Sequence, residues 1–238
     1  MILVALAFGK TISPADVHVE GIRSISRVDI EYAREFGYAI KLLAVARQTR
    51  DGVEARVHPS MVPVGHLLSQ VGGAFNAVCL RGRALGTSIY YGQGAGMMPT
   101  ATAVVADVMD AARAAHNNGD GGNRAAAPRP YGCAIAELSE ARVVPMAQTS
   151  HEHYLRFACA DRPGVLAAIA SVLAEEGISM ATVSQHGGGD DAAVPVVMRT
   201  HRTTESAMTR ALERIGALDG VHGPPVVIRV EETLGSEE

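Results

Sequence analysis

The sequence predicts an α+β protein: a mixed-sheet unit followed by a smaller unit with the order βαββαβ. Apolar runs alternate with helically spaced segments, but hairpin signals join several of them, which favours mixed layers over a repeating βαβ winding. A stretch without apolar period, His116 to Pro130 (HNNGDGGNRAAAPRP), separates two parts and reads as an exposed linker. From Ser150 onward the segments follow as strand, helix, strand, strand, helix, strand, one of the recurring small α+β arrangements. The totals agree with a soluble globular chain: 238 residues, 47% hydrophobic, 19% charged, net charge -4. No basic surface points to nucleic acid and no run of like charge points to a membrane face.

Met1 to Phe8 (MILVALAF) is apolar from the first residue, with no basic residue before it and no cleavage site, so it is a poor signal peptide. It is far short of the roughly 20 residues that span a bilayer. Ending at Gly9-Lys10, it reads as the C-terminal half of a buried helix with Gly9 in the cap position. Ser13-Pro14-Ala15-Asp16 opens a short helix, and Ser26 caps a second one carrying Ile30, Ala33 and Phe36 and ending at Gly37. Ala39 to Ala46 is nearly continuous in apolar residues, as expected of a central strand covered on both faces. Asp51-Gly52 signals a hairpin into Val53 to His58; Pro59 then breaks the strand and Pro63 starts a helix over Val64 to Val71. Phe75 to Leu80 and a strand after Gly86 follow.

Ile89-Tyr90-Tyr91 stops at Gly92, Gly94 and Gly96, and Pro99 opens an alanine-rich helix with Met97-Met98 packed against a neighbour. The first amides of such a helix point into the loop, where glycines admit a bulky or anionic group. A tight loop packing helix on strand satisfies the same spacing, and lone glycine patterns do not discriminate between the two. The first part ends near Ala115, and Tyr131 to Ala147 is irregular with a short strand or helix.

In the second part His153 to Cys159 alternates as a half-buried strand, and Asp161-Arg162-Pro163-Gly164 turns into a helix over Val165 to Glu176 that Gly177 ends. Ile178 to Gln185 and Val194 to Thr200 flank a hairpin loop at Gly187 to Asp191. Thr204 to Ile215 is a second helix and Val226 to Val230 a last strand. Cys79, Cys133 and Cys159 are odd in number and lack CxxC spacing, so they read as reduced buried thiols. His151-Glu152-His153 has no third ligand nearby and reads as solvated rather than metal-binding, and His58, His66 and His186 as satisfied or exposed. Ser13 and Ser24 lack a nucleophile-elbow setting.

Tyr154-Leu155-Arg156-Phe157, Asp161-Arg162-Pro163-Gly164-Val165-Leu166 and Ile178-Ser179-Met180 resemble an ACT domain, the ferredoxin-like module that binds amino acids in many biosynthetic enzymes. The first part is similar to the catalytic domain of homoserine dehydrogenase. Phe8-Gly9, Val19-Glu20-Gly21-Ile22, Asp29-Ile30, Gly37-Tyr38, Ile40-Lys41-Leu42-Leu43, Val57-His58-Pro59, Phe75-Asn76-Ala77-Val78, Gly94-Ala95-Gly96 and Pro99-Thr100-Ala101 carry the likeness.

The resemblance implies a substrate and dimerisation domain over 1–115, a linker and irregular segment over 116–148, and an ACT regulatory domain over 149–238. It implies that Gly96, with Gly94 beside it, lies at NAD or NADP, and that Asp161, Arg162, Gly164, Val165 and Leu166 hold an amino-acid effector, L-threonine. It further implies a cytoplasmic homo-oligomer, dimer or tetramer, interconverting L-homoserine and L-aspartate 4-semialdehyde for threonine, methionine and isoleucine synthesis. The family's G-x-G-x-x-G nucleotide-binding unit is absent from these residues, and its catalytic lysine would fall just before Met1. Lys10 and Lys41 are the only lysines and neither matches that position, so no catalytic residue and no metal ligand is assigned. The chain is therefore expected to be the C-terminal fragment of such an enzyme; the alternative is a non-catalytic, dimerising, amino-acid-sensing module.

Overall fold

The computed structural model describes residues 1–119, 131–185 and 193–231. The first stretch holds α1 (Ile2–Phe8), β1 (Lys10–Thr11), β2 (His18–Val19), α2 (Arg27–Glu35), β3 (Tyr38–Gln48), β4 (Val53–Pro63), α3 (Leu67–Gln70), β5 (Phe75–Gly82), β6 (Gly86–Gln93) and α4 (Met97–Gly119). After it come β7 (Ser139–Glu140), β8 (Ser150–Cys159), α5 (Val165–Glu175), β9 (Met180–Gln185), β10 (Val194–Thr200), β11 (Thr203–Thr204), α6 (Glu205–Gly216) and β12 (Val221–Val230).

The chain forms two compact units that do not follow its linear order. One joins Ile12–Ser69 to Glu140–Glu238, and the other joins Ile2–Thr11 to Gln70–Ser139. Within the first unit a single mixed sheet runs in the order β2-β4-β12-β8-β10-β9. The four strands β12-β8-β10-β9 are antiparallel, with α5 and α6 as their crossovers, which is the expected βαββαβ arrangement. At its β12 edge this sheet does not stop: Arg229 and Val230 pair in parallel with Ser60 and Met61 of β4. β2 pairs in parallel with Arg56 and Val57 on the same side of β4, and β3 pairs antiparallel along the whole of its other side.

Pro59 does not break β4, contrary to the sequence expectation, and the reason is its place in the ladder. The carbonyls of Val57 and Met61 accept from Glu20 and Glu231, so Pro59, of the same parity, faces the same side. There β2 ends its pairing at Val57 and β12 begins at Ser60, and the missing N–H falls in the gap. The helix expected over Val64 to Val71 shrinks to α3. The stretch Ala39 to Ala46 is not a central strand: β3 pairs only with β4 among the described residues, and Leu42, Ala44 and Ala46 are exposed along one face. The buried central strand is β4 instead. β12 begins at Val221, earlier than expected, and its register shifts between His222 and Val226, where Pro224 and Pro225 have no N–H to donate.

Two apolar layers cover the two faces of the βαββαβ sheet. On one face Leu155, Phe157, Val196 and Met198 meet Ile169 and Leu173 of α5 and Met208, Ala211 and Ile215 of α6. On the other face Tyr154, Val197 and Ile228 pack against Tyr32 and Ala33 of α2, with Tyr38 and Met61. Ser26 caps α2 as expected, and a capping box with Asp29 completes it. Gly37, at φ 83°, ends the helix in the left-handed conformation that only glycine adopts freely.

In the second unit α1 buries Val4 and Ala5, and Gly9 closes it with an N–H donated to Ala5. β5 and β6 form a two-stranded hairpin in register from Phe75↔Gln93 to Gly82↔Gly86. α4 continues to Gly119, past the expected end near Ala115. Met97 and Met98 are not packed: they are 85% and 68% exposed. The rest of the expected linker, and the hairpin loop at Gly187 to Asp191, lie outside the described residues.

Candidate functional site

The glycine loop joins β6 to α4 within the second unit. Gly94 donates its N–H to Ala74, and a Cβ built on it would sit 1.6 Å from Asn76 Nδ2, so a larger residue requires the Asn76 side chain to turn away. Gly96 stands at φ 126°, unfavourable for a side chain, and accepts the first helical bond, from Thr100. Pro99 is the third residue of α4, where its missing N–H is one of the helix's own unpaired donors and costs nothing. The loop is exposed throughout, beside Tyr90 and Tyr91, and Phe75 stacks on Tyr91 with ring centroids 4.9 Å apart. An open glycine surface beside aromatic rings has room for the edge of a planar group.

The second candidate is the turn from β8 into α5. Gly164, at φ 95°, is the N-cap of α5 and accepts from Ala168. Val165 faces inward, while Asp161, Arg162 and Leu166 are exposed. Arg162 reaches Asp219 with N and O 2.5 Å apart, and Ala160 donates to Gly220. Gly220 is forced: a Cβ there would lie 2.9 Å from Val165 and 3.1 Å from Arg162 Nη2. The turn therefore leans on the α6–β12 connection, with the helix amides of α5 pointing outward past a glycine, a geometry that can take a small carboxylate.

Sequence reasoning missed the third feature, a buried polar seam inside the first unit. His151 and His153 are not solvated, as expected, but buried, because they share the inward face of β8 with Leu155 and Phe157. His153 Nε2 donates to Glu205 Oε1 at 2.8 Å, and His151 Nε2 lies 3.0 Å from Thr149 Oγ1. Arg229 grips Glu205 through Nε and Nη2, at 2.8 and 2.7 Å, and Glu20 through Nη1 at 2.8 Å. Arg56 holds Glu231 at 3.0 Å and Glu54 at 2.7 Å, and donates to His58 Nε2 at 3.1 Å. His58 is thus neutral, with Nδ1–H toward the Pro59 carbonyl.

Burial lowers the pKa of His58 to about 4 and that of His151 to about 2. Burial alone would raise the carboxyl of Glu205, but the bonds from His153 and Arg229 outweigh it and hold the group ionised well below its ordinary range. On the α2 side Asp29, fully buried, accepts from Arg156 at 2.6 and 3.1 Å and from Tyr154 at 3.0 Å. Burial opposes the charge there too, and the bonds from Arg156 and Ser26 prevail. The signal available in the sequence was the two-residue period of Arg56, His58 and Ser60, and of His151 and His153, which puts each set on one face of its strand.

Among the described residues no group of three or more His, Cys, Asp or Glu side chains could hold a metal. The three cysteines are free; Cys159 is buried as expected, whereas Cys79 and Cys133 are only half-buried. No helix among them is long and apolar enough to cross a membrane.

A mixed sheet extended by a βαββαβ unit, with an outward glycine loop on a hairpin, defines the class: an α+β protein with a ferredoxin-like module built into its sheet. Residues 1–109 match the homoserine dehydrogenase family and residues 153–220 the ACT domain. The chain is 40% identical over 232 residues to homoserine dehydrogenase of Pseudomonas aeruginosa and 39% identical over 236 residues to that of Corynebacterium glutamicum. Each alignment takes in 97% of this chain, against 52% and 50% of the relative. The crystal structure of a homoserine dehydrogenase from Thiobacillus denitrificans superposes with a TM-score of 0.83 at 39% identity, over 98% of this chain and 52% of that one. The chain carries a homoserine dehydrogenase family domain over residues 1–109 and an ACT domain over residues 153–220. It spans about half the length of the relatives it matches.

Proposed function

We propose that this chain is the substrate-side and regulatory part of a homoserine dehydrogenase, acting with a nucleotide-binding domain beyond these 238 residues. The reaction is the interconversion of L-homoserine and L-aspartate 4-semialdehyde, with hydride carried by NAD or NADP. The observation that supports it most is the alignment with homoserine dehydrogenases along nearly the whole chain. Gly96 and Gly94 keep one edge of the nicotinamide cofactor free of side chains, and the exposed loop fits that task. Residues 1–115 supply the dehydrogenase part and 149–238 the sensing part, in a cytoplasmic homo-oligomer. L-Threonine binds at Asp161, Arg162, Gly164, Val165 and Leu166, its carboxylate on the amides of α5 and its side chain toward Val165.

Lys10 donates to Ser139, and Lys41 lies in a strand. With neither lysine placed for chemistry, the reading requires the purified chain alone to be inactive. Homoserine-dependent reduction of NADP, and separately of NAD, is measured for the chain alone and for the chain joined to a nucleotide-binding domain of the family. Activity only in the joined form is expected; turnover by the chain alone would overturn the assignment of roles. A second reading, a sensing module without catalysis, is favoured by the completeness of the βαββαβ unit and its core. It predicts a threonine-dependent thermal shift, absent with alanine, together with an inactive joined form.

A further inference from the structure

The buried seam joins segments far apart in sequence, and one side chain carries most of the connection. Arg229 lies on β12, the strand that belongs at once to the βαββαβ sheet and, through its pairing with β4, to the sheet of residues 12–69. Its guanidinium is buried and divided. Two nitrogens hold both oxygens of Glu205, the first residue of α6, and the third holds Glu20, just after β2. The titratable and charged groups facing it are Glu205 from α6, His151 and His153 from β8, Glu20 and His18 from the β2 side, and His58 and Arg56 with Glu231 along β4 and β12. Glu20 is also tied by its backbone, its N–H donating to Val57 of β4 at 2.7 Å. His153, fully buried, donates from Nε2 to Glu205 Oε1, and its Nδ1 has no hydrogen-bond partner. The negative charge at the α6 start is therefore balanced by Arg229, and movement of that helix end changes how much of Arg229 remains for Glu20.

We infer that Arg229 is a mechanical coupler: it transmits displacement of the α6 N-terminus, through Glu20, to the β2–β4 pairing of the dehydrogenase part. A rigid fork shared by two carboxylates is the element that allows this, since tightening on one loosens it on the other. Coupling of this kind is a measurable interaction between two ends, not a matter of proximity.

The test uses the full chain and needs no ligand. Amide exchange is followed at residues 19–21 and 55–58 in the wild type, Glu205→Gln, Arg229→Met and the double variant, with the α5 amides around Ile169 as internal reference. Glu205→Gln removes the charge that holds the fork, and about a tenfold change in exchange at Glu20 is expected, with the α5 amides unmoved. In the Arg229→Met background the same substitution changes nothing further. Equal effects of Glu205→Gln in both backgrounds, or an effect confined to α6 and β8, would overturn the inference. Should Arg229→Met not fold, Arg229→Lys takes its place, because a lysine cannot hold two carboxylates as a fork does. The Glu205→Gln effect at Glu20 must then fall at least threefold.

Discussion

The two faces of the βαββαβ sheet are built on different physics. Against α5 and α6 it presents Leu155, Phe157, Val196 and Met198, an apolar layer whose burial drives packing, with the Glu205, His153 and Arg229 seam gathered at the start of α6. Against α2 it presents Tyr154 and Val197 beside Arg156, and the layer includes an ion pair to a fully buried Asp29. The first face would suit a module standing alone; the second is completed by residues more than a hundred positions upstream. The ACT unit is thus sheltered by the dehydrogenase part and continuous with its sheet through β12 and β4.

The comparison is broken most severely from the apolar side. Phe157→Ala removes a fully buried ring between the sheet and its helices, and should lower unfolding free energy by about 4 kcal/mol, measured by denaturant titration. From the other side Asp29→Ala leaves Arg156 and the Tyr154 hydroxyl without their acceptor. About 3 kcal/mol is expected there, since breaking a buried pair strands the remaining charge. The Asp29 loss should shrink markedly in an Arg156→Met background, while the Phe157 loss should not change.

Acid acts next, on the buried polar groups of both faces. His58 and His151 are neutral when folded, with pKa values lowered to about 4 and about 2, against an ordinary value near 6.5 when unfolded. Below about pH 6.5 the unfolded chain therefore binds protons that the folded chain does not, so stability falls as pH falls from about 6.5 to about 4. Asp29 and Glu205, held ionised below their ordinary range, add to the loss further down. Unfolding measured from pH 7.5 to 4.5 should show this slope in the wild type and in Phe157→Ala alike. The slope should flatten in His58→Gln, by up to about 3 kcal/mol across the range. The smallest effect is at the cap of α2: Ser26→Ala should cost about 1 kcal/mol.

What was legible in the sequence divides along the same line. The spacing of Leu166, Ile169, Ala170 and Leu173, the Asp161 to Gly164 turn and the cap at Ser26 are local signals, and each element they indicate is present. The pairing of Arg229 with Ser60, or of Asp29 with Arg156, depends on residues more than 120 positions apart, and no local period encodes it. Ala39 to Ala46 looked central because it is apolar, yet it is an edge strand; β4 looked broken at Pro59, yet it is the middle of the sheet. In both cases a neighbour supplied from far along the chain decided the outcome. Gly94, Gly96 and the Asp161 to Leu166 turn could be located beforehand because glycine and proline mark such loops locally, and their ligands are the proposal made above.

Native-state hydrogen exchange in rising denaturant tests the shared sheet most directly. If the ACT unit and the strands of residues 12–69 form one cooperative body, the slowest amides of β4 and α2 will open with the same free energy and the same denaturant dependence as those of α5 and β8. Should β4 and α2 open at much lower free energy while α5 and β8 stay protected, the two parts are separately stable and the seam does not join them.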